Sequence, residues 1–217
     1  NLETATKNCS VSISQHGKTI LCKEIAESGY SHAERLHVFI EECLKESNIT
    51  FKDLSAIAVS QGPGSYTGLR IGVSTAKGLC FALDLPLIAI DTLQVLASQL
   101  TITEGVIIPM IDARRMEVYS AIYNSDYEKT REVQAQILTE NSFLEISDTI
   151  HFVGDCSEKA KTVLTNSNFI FHEEIVYPSA NEMSELSFKK FQDSNFEDVA
   201  YFEPYYLKDF MTTVSKK

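Results

Sequence analysis

The feature that most limits the fold is the run SQGPGSYTGLRIGVSTAKGLCFAL at residues 60–83, the end of an apolar strand-like segment that breaks at Gly62-Pro63-Gly64 and restarts with helical spacing. It carries five of the nine glycines in the 217-residue chain. Glycine inside a helix costs about 1 kcal/mol relative to alanine. A chain that keeps Gly72 and Gly78 in a helix must therefore gain something from close approach. Gly68, Gly72 and Ala76 recur every four residues, which makes a small-residue ridge suited to a neighbouring backbone.

Read as a helix over 68–83, this segment places Arg70, Ser74 and Lys77 in one sector. Almost everything outside that sector is apolar or small: Leu69, Ile71, Gly72, Val73, Ala76, Gly78, Leu79, Cys80, Ala82 and Leu83. A helix that is apolar over most of its circumference is covered on more than one side. The ridge fits packing on the chain's own sheet or on a partner helix, and the apolar excess favours both. On this reading Gly72→Leu or Val73→Asp is expected to abolish pairing with a partner and leave the fold intact.

As a phosphate loop the run fails two templates. Leu69-Arg70 stands where G-x-x-x-x-G-K-[ST] needs Lys followed by Ser or Thr, and the third glycine comes one residue late for G-x-G-x-x-G. The N–H groups from Ser65 to Gly68 still form an anion-receptive helix start, with Arg70 nearby. Ser65 lacks the G-x-S-x-G spacing of a hydrolase nucleophile, and no base is placed beside it by sequence.

The rest of the chain alternates strands and helices. Cys9, Val11 and Ile13 alternate with Ser10, Ser12 and Ser14, and after QHGK a second run, TILCKEIA, predicts a hairpin. Residues 31–47 have a helical apolar stripe, with Ser31 as N-cap and Glu34 at the capping-box spacing. Strands are predicted at 54–60 and 86–92, followed by a helix in LQVLASQL. A second hairpin is centred on Asp112-Ala-Arg-Arg. IHFVGD and FIFHE read as strands, SEKAKTVLTN and SANEMSELSFKKFQD as helices. Both halves open with a hairpin and continue as strand–helix alternation, which predicts two α/β lobes with mixed sheets, 1–102 and 103–217.

The net charge of −11 is uneven: −2 over residues 1–102 and −9 over 103–217. A nucleic-acid binder neutralises phosphates with a basic stripe, and this chain has none. The five cysteines show no C-x-x-C pair and sit in apolar or small-residue segments, which fits buried reduced thiols in the cytoplasm rather than a disulfide framework. No signal peptide or membrane-spanning run is legible. His32 and His37 are five residues apart on one helix, so they do not share a metal ion, and no metal centre is expected.

The segments ETATKNCSVSI, HAERL, SQGPGSYTGLRIGVSTAKGL, PMIDARRMEVY, FVGD, YPSA and EPYYLKD follow one another in an order that resembles the TsaB (YeaZ) family. The resemblance implies a two-lobed fold of the actin-like, Hsp70-like and sugar-kinase (ASKHA, RNase H-like) type. It also implies a subunit of the tRNA threonylcarbamoyltransferase machinery that forms threonylcarbamoyladenosine at position 37 of ANN-decoding tRNAs. Such a subunit is a non-catalytic scaffold that pairs with its paralogue, the TsaD-type transferase, and is joined by a TsaE-type ATPase. It forms a homodimer when alone and meets tRNA only through the complex.

The implied pairing face lies on the helices at 31–47 and 68–83, which puts Val38, Leu69, Gly72, Val73, Ala76, Leu79 and Cys80 among the expected partner contacts. The fold also implies phosphate-facing turns between the lobes, where Glu3, Lys7, Ser65, Asp112 and Arg115 are candidate nucleotide or anion contacts. The residues alone equally allow Asp112 to cap a tight turn while the arginines pair with surface acids. No cofactor is expected to bind this chain tightly, Mg–ATP being used by the complex. The competing reading is an active ATPase or small-molecule kinase of the same fold; the family's older peptidase label finds no activated nucleophile here.

Overall fold

A computed structural model describes residues 1–26 and 32–208. The first lobe opens with β1 (Leu2–Glu3), β2 (Cys9–Gln15) and β3 (Lys18–Ile25), then α1 (His32–Glu46), β4 (Ile57–Gly62), α2 (Tyr66–Leu83), β5 (Leu87–Asp91) and α3 (Thr92–Ala97). The second holds β6 (Val106–Asp112), β7 (Glu117–Tyr123), β8 (Lys129–Ile137), β9 (Ile150–Val153), α4 (Ser157–Ala160) and β10 (Phe169–Phe171), after which the chain ends in α5 (Met183–Gln192) and an extended tail.

The two sheets share one plan. The first has the order β3-β2-β1-β4-β5 and the second β10-β9-β6-β7-β8, the same arrangement read from the other edge. In each, the opening strand is central, antiparallel to the next strand and parallel to the fourth. The duplication inferred from hairpin order is therefore physical, and the fold is the two-lobed α/β class expected. The Ser31 cap lies outside the described residues.

Burial explains the layers. Leu36, Phe39, Ile40, Cys43 and Leu44 of α1 and Val73, Ala76 and Cys80 of α2 cover one face of the first sheet, against Leu2, Val11, Val59 and Leu87. The opposite face is covered by α5 and α3, through Met183 and Val95 against Ala58, Ile88 and Ile90. Helix α3 also buries Leu93 and Leu96 against Ile107, Ile111 and Tyr123 of the second sheet, so it stands between the sheets.

Three local readings change. Residues 129–137, KTREVQAQI, form an edge strand that the sequence reading left unassigned. The helix expected in SEKAKTVLTN shrinks to Ser157–Ala160. The segment from Pro178 onward does not stay with the second lobe. Ser12 Oγ donates to the Ala180 carbonyl at 2.6 Å, the Ala180 N–H donates to Ser10 Oγ at 2.8 Å, and Asn8 Nδ2 donates to the Pro178 carbonyl at 3.0 Å. Ser10 and Ser12 of β2 are thus buried hydrogen-bonding groups for the returning chain, not a wet face. The segment at Pro178–Ala180 thus joins the first sheet through β2 and Asn8.

Candidate functional site

The strand–turn–helix at 57–83 seats α2 directly on the turn that joins β1 to β2. Ser65 caps the helix, its Oγ accepting from the Gly68 N–H at 3.3 Å, while its own N–H donates to the Ala5 carbonyl at 2.7 Å. Thr4 Oγ1 donates to the Gly68 carbonyl at 2.8 Å. A Cβ on Gly64 would meet the Ala5 carbonyl oxygen at 2.3 Å, one on Gly68 the Thr4 carbonyl oxygen at 2.0 Å, and one on Gly72 the Thr4 hydroxyl at 2.2 Å. The glycine ridge therefore serves close approach to the chain's own β1–β2 turn.

This placement bears on five of the residues expected at the partner face. Leu69, Gly72, Val73, Ala76 and Cys80 all face the first sheet and are buried within the chain. Gly72→Leu would drive a side chain into Thr4, and Val73→Asp would bury an unpaired charge, so both would act on the fold rather than on pairing alone. Leu79 lies half-buried at the edge of that core. The outward side of α2 carries Arg70, Ser74, Gly78, Phe81 and Ala82. Phe81 is 87% exposed, Gly78 has nothing within 4 Å of where a Cβ would stand, and Val38 on α1 is 40% exposed. An aromatic side chain that bare, beside a glycine with open space over it, leaves room for another helix to approach. The signal in the sequence is Phe81 falling in the sector of Arg70 and Ser74, which the helical projection assigned to water.

Glu3 is fully buried; Ala5 N–H donates to its Oε1 at 2.6 Å and the Ser60 hydroxyl donates to Oε2. Burial raises its carboxyl to about 7 against these hydrogen bonds, which favour the charged form. Its oxygens are thus occupied by the protein. Lys7 and Ser65 are exposed on the same lobe, Ser65 as the cap described above. Asp112 Oδ1 accepts from the Arg114 N–H at 3.1 Å and pairs with Lys159, whose Nζ also donates to the Arg115 carbonyl at 3.0 Å. Arg114 and Arg115 both take positive φ in this turn. Asp112 therefore caps a tight turn, and Arg115 contributes backbone to it. Among the described residues no hydrogen bond or ion pair links Glu3, Lys7 or Ser65 to Asp112 or Arg115.

Arg70, read from sequence as a neighbour for an anion, lies 4.1 Å over the Tyr66 ring and donates from Nε to the Tyr206 hydroxyl at 3.2 Å. The tail is fastened alongside by the Tyr205 N–H donating to the Gln61 carbonyl at 2.7 Å and by Lys77 donating to the Phe202 carbonyl at 2.8 Å. Between the lobes, Lys129 of β8 pairs at 2.6 Å with Asp91, which also caps α3 by accepting from Leu93 N–H at 2.9 Å. His32 Nε2 lies 2.7 Å from the Thr6 carbonyl oxygen, while His37 is exposed. All five cysteines are free, four of them buried. No helix among the described residues is long and apolar enough to cross a membrane.

A family model described as TsaD, tRNA N6-adenosine threonylcarbamoyltransferase, matches residues 24–210. The tRNA threonylcarbamoyladenosine biosynthesis protein TsaB of Escherichia coli (strain K12) is 28% identical, the match covering 96% of this chain and 93% of that protein. The protein of the same name from Bacillus subtilis (strain 168) is 39% identical over 105 residues, 48% of this chain and 46% of its own length. In structure, YeaZ from Pseudomonas aeruginosa superposes with a TM-score of 0.83 at 23% identity, covering 95% of this chain and 97% of that one.

Proposed function

This chain belongs to the TsaD family of tRNA N6-adenosine threonylcarbamoyltransferases, and within it to the TsaB (YeaZ) proteins; from that premise we propose that it is a non-catalytic subunit that binds and organises a TsaD-type transferase. The observation that carries the proposal is the outward side of α2, where Phe81 stands bare beside the open backbone at Gly78. A transferase sharing this fold presents an equivalent helix pair, and two such pairs bury each other's apolar sides. The threonylcarbamoyladenosine product for which the relatives are named is then formed by the complex, with a TsaE-type ATPase consuming Mg–ATP.

The non-catalytic part of the proposal rests on the β1–β2 turn. In ATPases of this architecture that turn faces phosphate. Here its backbone is spanned by the start of α2, and the acidic side chain before it is buried and bonded within the protein. The charge of −11 supports the view that tRNA is engaged through the partner.

The test is a reconstitution of tRNA modification from the transferase, the ATPase, Mg–ATP, a preformed activated threonylcarbamoyl donor and tRNA. Omitting this chain is expected to abolish the modified nucleoside, and adding it back to restore it. ATP turnover by the isolated chain would favour the kinase or ATPase reading. Full modification without the chain would end the subunit reading.

A further inference from the structure

The tail that follows α5 is fastened to both lobes within one short stretch, 205–208. On the first lobe, the Tyr205 N–H donates to the Gln61 carbonyl at 2.7 Å, at the end of β4. Gly62 lets the Tyr205 carbonyl come in beside it, since a Cβ there would stand 2.6 Å from that oxygen. Tyr206 sets its ring 4.9 Å from that of Tyr66 and accepts from Arg70 Nε at 3.2 Å. On the second lobe, Lys208 pairs with Glu117 at the start of β7, its Nζ 5.8 Å from the Tyr119 ring. Pro204 enters the crossing with its φ fixed by the ring, which lowers the entropy lost in ordering the segment.

The crossing lies at one end of both sheets. Gly62 closes β4, and Glu117 sits beside the carboxyl end of β6, because Asp112 is opposite Val118. Ligands of α/β sheets enter at the carboxyl ends of strands. Here the chain itself bridges the lobes at that end. A second grip lies far from it. Lys129, opposite Tyr123 at the other end of β7, pairs with Asp91 of the first lobe. β7 runs from Glu117 to Tyr123, a length of about 20 Å. The apolar contacts of α3 with the second sheet are non-directional and allow turning. Held at one grip, the second lobe can pivot about it; held at both, it cannot turn without breaking one. The backbone from Tyr205 to Lys208 reaches at most about 11 Å, so the tail cannot stay fastened at both ends while the lobes part.

We propose that residues 204–208 are a strap that locks the two lobes in one relation, and that release at Lys208 frees the second lobe to turn about α3. The end on the second lobe is the one that opens. Its ion pair is part-exposed, 37% at Lys208 and 25% at Glu117, and such pairs are weak and screened by salt. Asp91 is only 11% exposed, so its pair with Lys129 is screened less. The end on the first lobe holds through a backbone hydrogen bond and a ring contact, which salt leaves in place. The lock is a property of this chain alone and is tested apart from its pairing with a transferase.

The experiment is pulsed electron paramagnetic resonance on the full chain, with nitroxides at Lys52→Cys in the first lobe and Glu140→Cys in the second, both exposed positions. Four native cysteines are buried, and burial pushes the Cys22 thiol up to about 11, so the labels go to the new sites. The labelled protein should give one narrow distance. Lys208→Glu sets two carboxylates against each other and should widen the distribution toward longer distances, as should salt at about 1 M without that substitution. Lys208→Arg should keep the narrow distance. A chain ending at Glu203 should be wide at any salt; if it does not fold, Lys208→Glu decides, at an exposed position whose fold is checked by thermal melts. An unchanged narrow distance in Lys208→Glu, or a wide one with Lys208 in place at low salt, overturns the strap.

Discussion

Replacing Gly68 by alanine separates local helix preference from the seating of α2 on β1. On propensity alone the change should stabilise an 18-residue helix by about 1 kcal/mol. The structure reverses the sign. The new Cβ would stand 2.0 Å from the Thr4 carbonyl oxygen and 3.2 Å from its carbon, both backbone atoms of the turn that leaves the central strand. Relief requires α2 to lift from β1 by roughly 1 Å, the shortfall from ordinary contact distance. That movement strains two hydrogen bonds, Thr4 Oγ1 to the Gly68 carbonyl and Ser65 N–H to the Ala5 carbonyl, each worth about 1 kcal/mol. It also disturbs tightly packed surroundings, at about 1–3 kcal/mol. After the propensity gain, a net loss of about 2–4 kcal/mol remains, or roughly 5–15 °C in Tm for a chain of this size. Urea and thermal melts followed by far-UV circular dichroism read it. Gly78→Ala is the control: with nothing within 4 Å it should gain about 1 kcal/mol. A Gly68→Ala protein as stable as the wild type, or one that shifts as Gly78→Ala does, refutes the seating.

Other outcomes follow from buried charge elsewhere in the fold. The Glu3 carboxyl rises to about 7 in the fold from 4.5 unperturbed, so the native state binds more protons between these values and its ionisation lowers stability as pH rises through them. Glu3→Gln keeps the acceptor for Ala5 and should gain on the wild type from pH 4.5 to 7, by up to about 3 kcal/mol; paired urea melts that show no such trend contradict it. Asp91→Ala removes the α3 cap and strands Lys129, an expected loss of about 2–3 kcal/mol. Asp91→Asn keeps the cap and should lose about half as much in the same melts; equal losses would place the whole effect in the ion pair.

The sequence was most legible where one period dominated. The β2–β3 hairpin announces itself by alternation, α1 by its helical stripe, and β4 and β5 by short continuous apolar runs. β8 escaped because KTREVQAQI puts Arg131 at a half-buried position, hydrogen-bonded to Ser120 and Gln136, so its inward side does not read as apolar. The return of the tail was not readable, since the serines of β2 look solvated until their partners 170 residues away are known. For the site, the run at 60–83 marked the right helix but not its orientation. The polar sector of Arg70 and Ser74 pointed outward, but a helix apolar over the rest of its circumference does not say which of its other sides meets the sheet. The Cβ contacts at Gly64, Gly68 and Gly72 do say so, and they leave Phe81 and Gly78 facing outward.

The central claim is that the outward side of α2 holds the transferase, and its most direct test is the affinity of that pair for wild type and Phe81→Asp, measured by sedimentation or calorimetry. At 87% exposure Phe81 contributes little to the fold, so the variant should melt with the wild type. Burying its ring against a partner is worth about 2–3 kcal/mol, so binding should weaken at least about thirtyfold, more once the new charge is desolvated. A Phe81→Asp protein that binds the transferase with wild-type affinity would contradict the account.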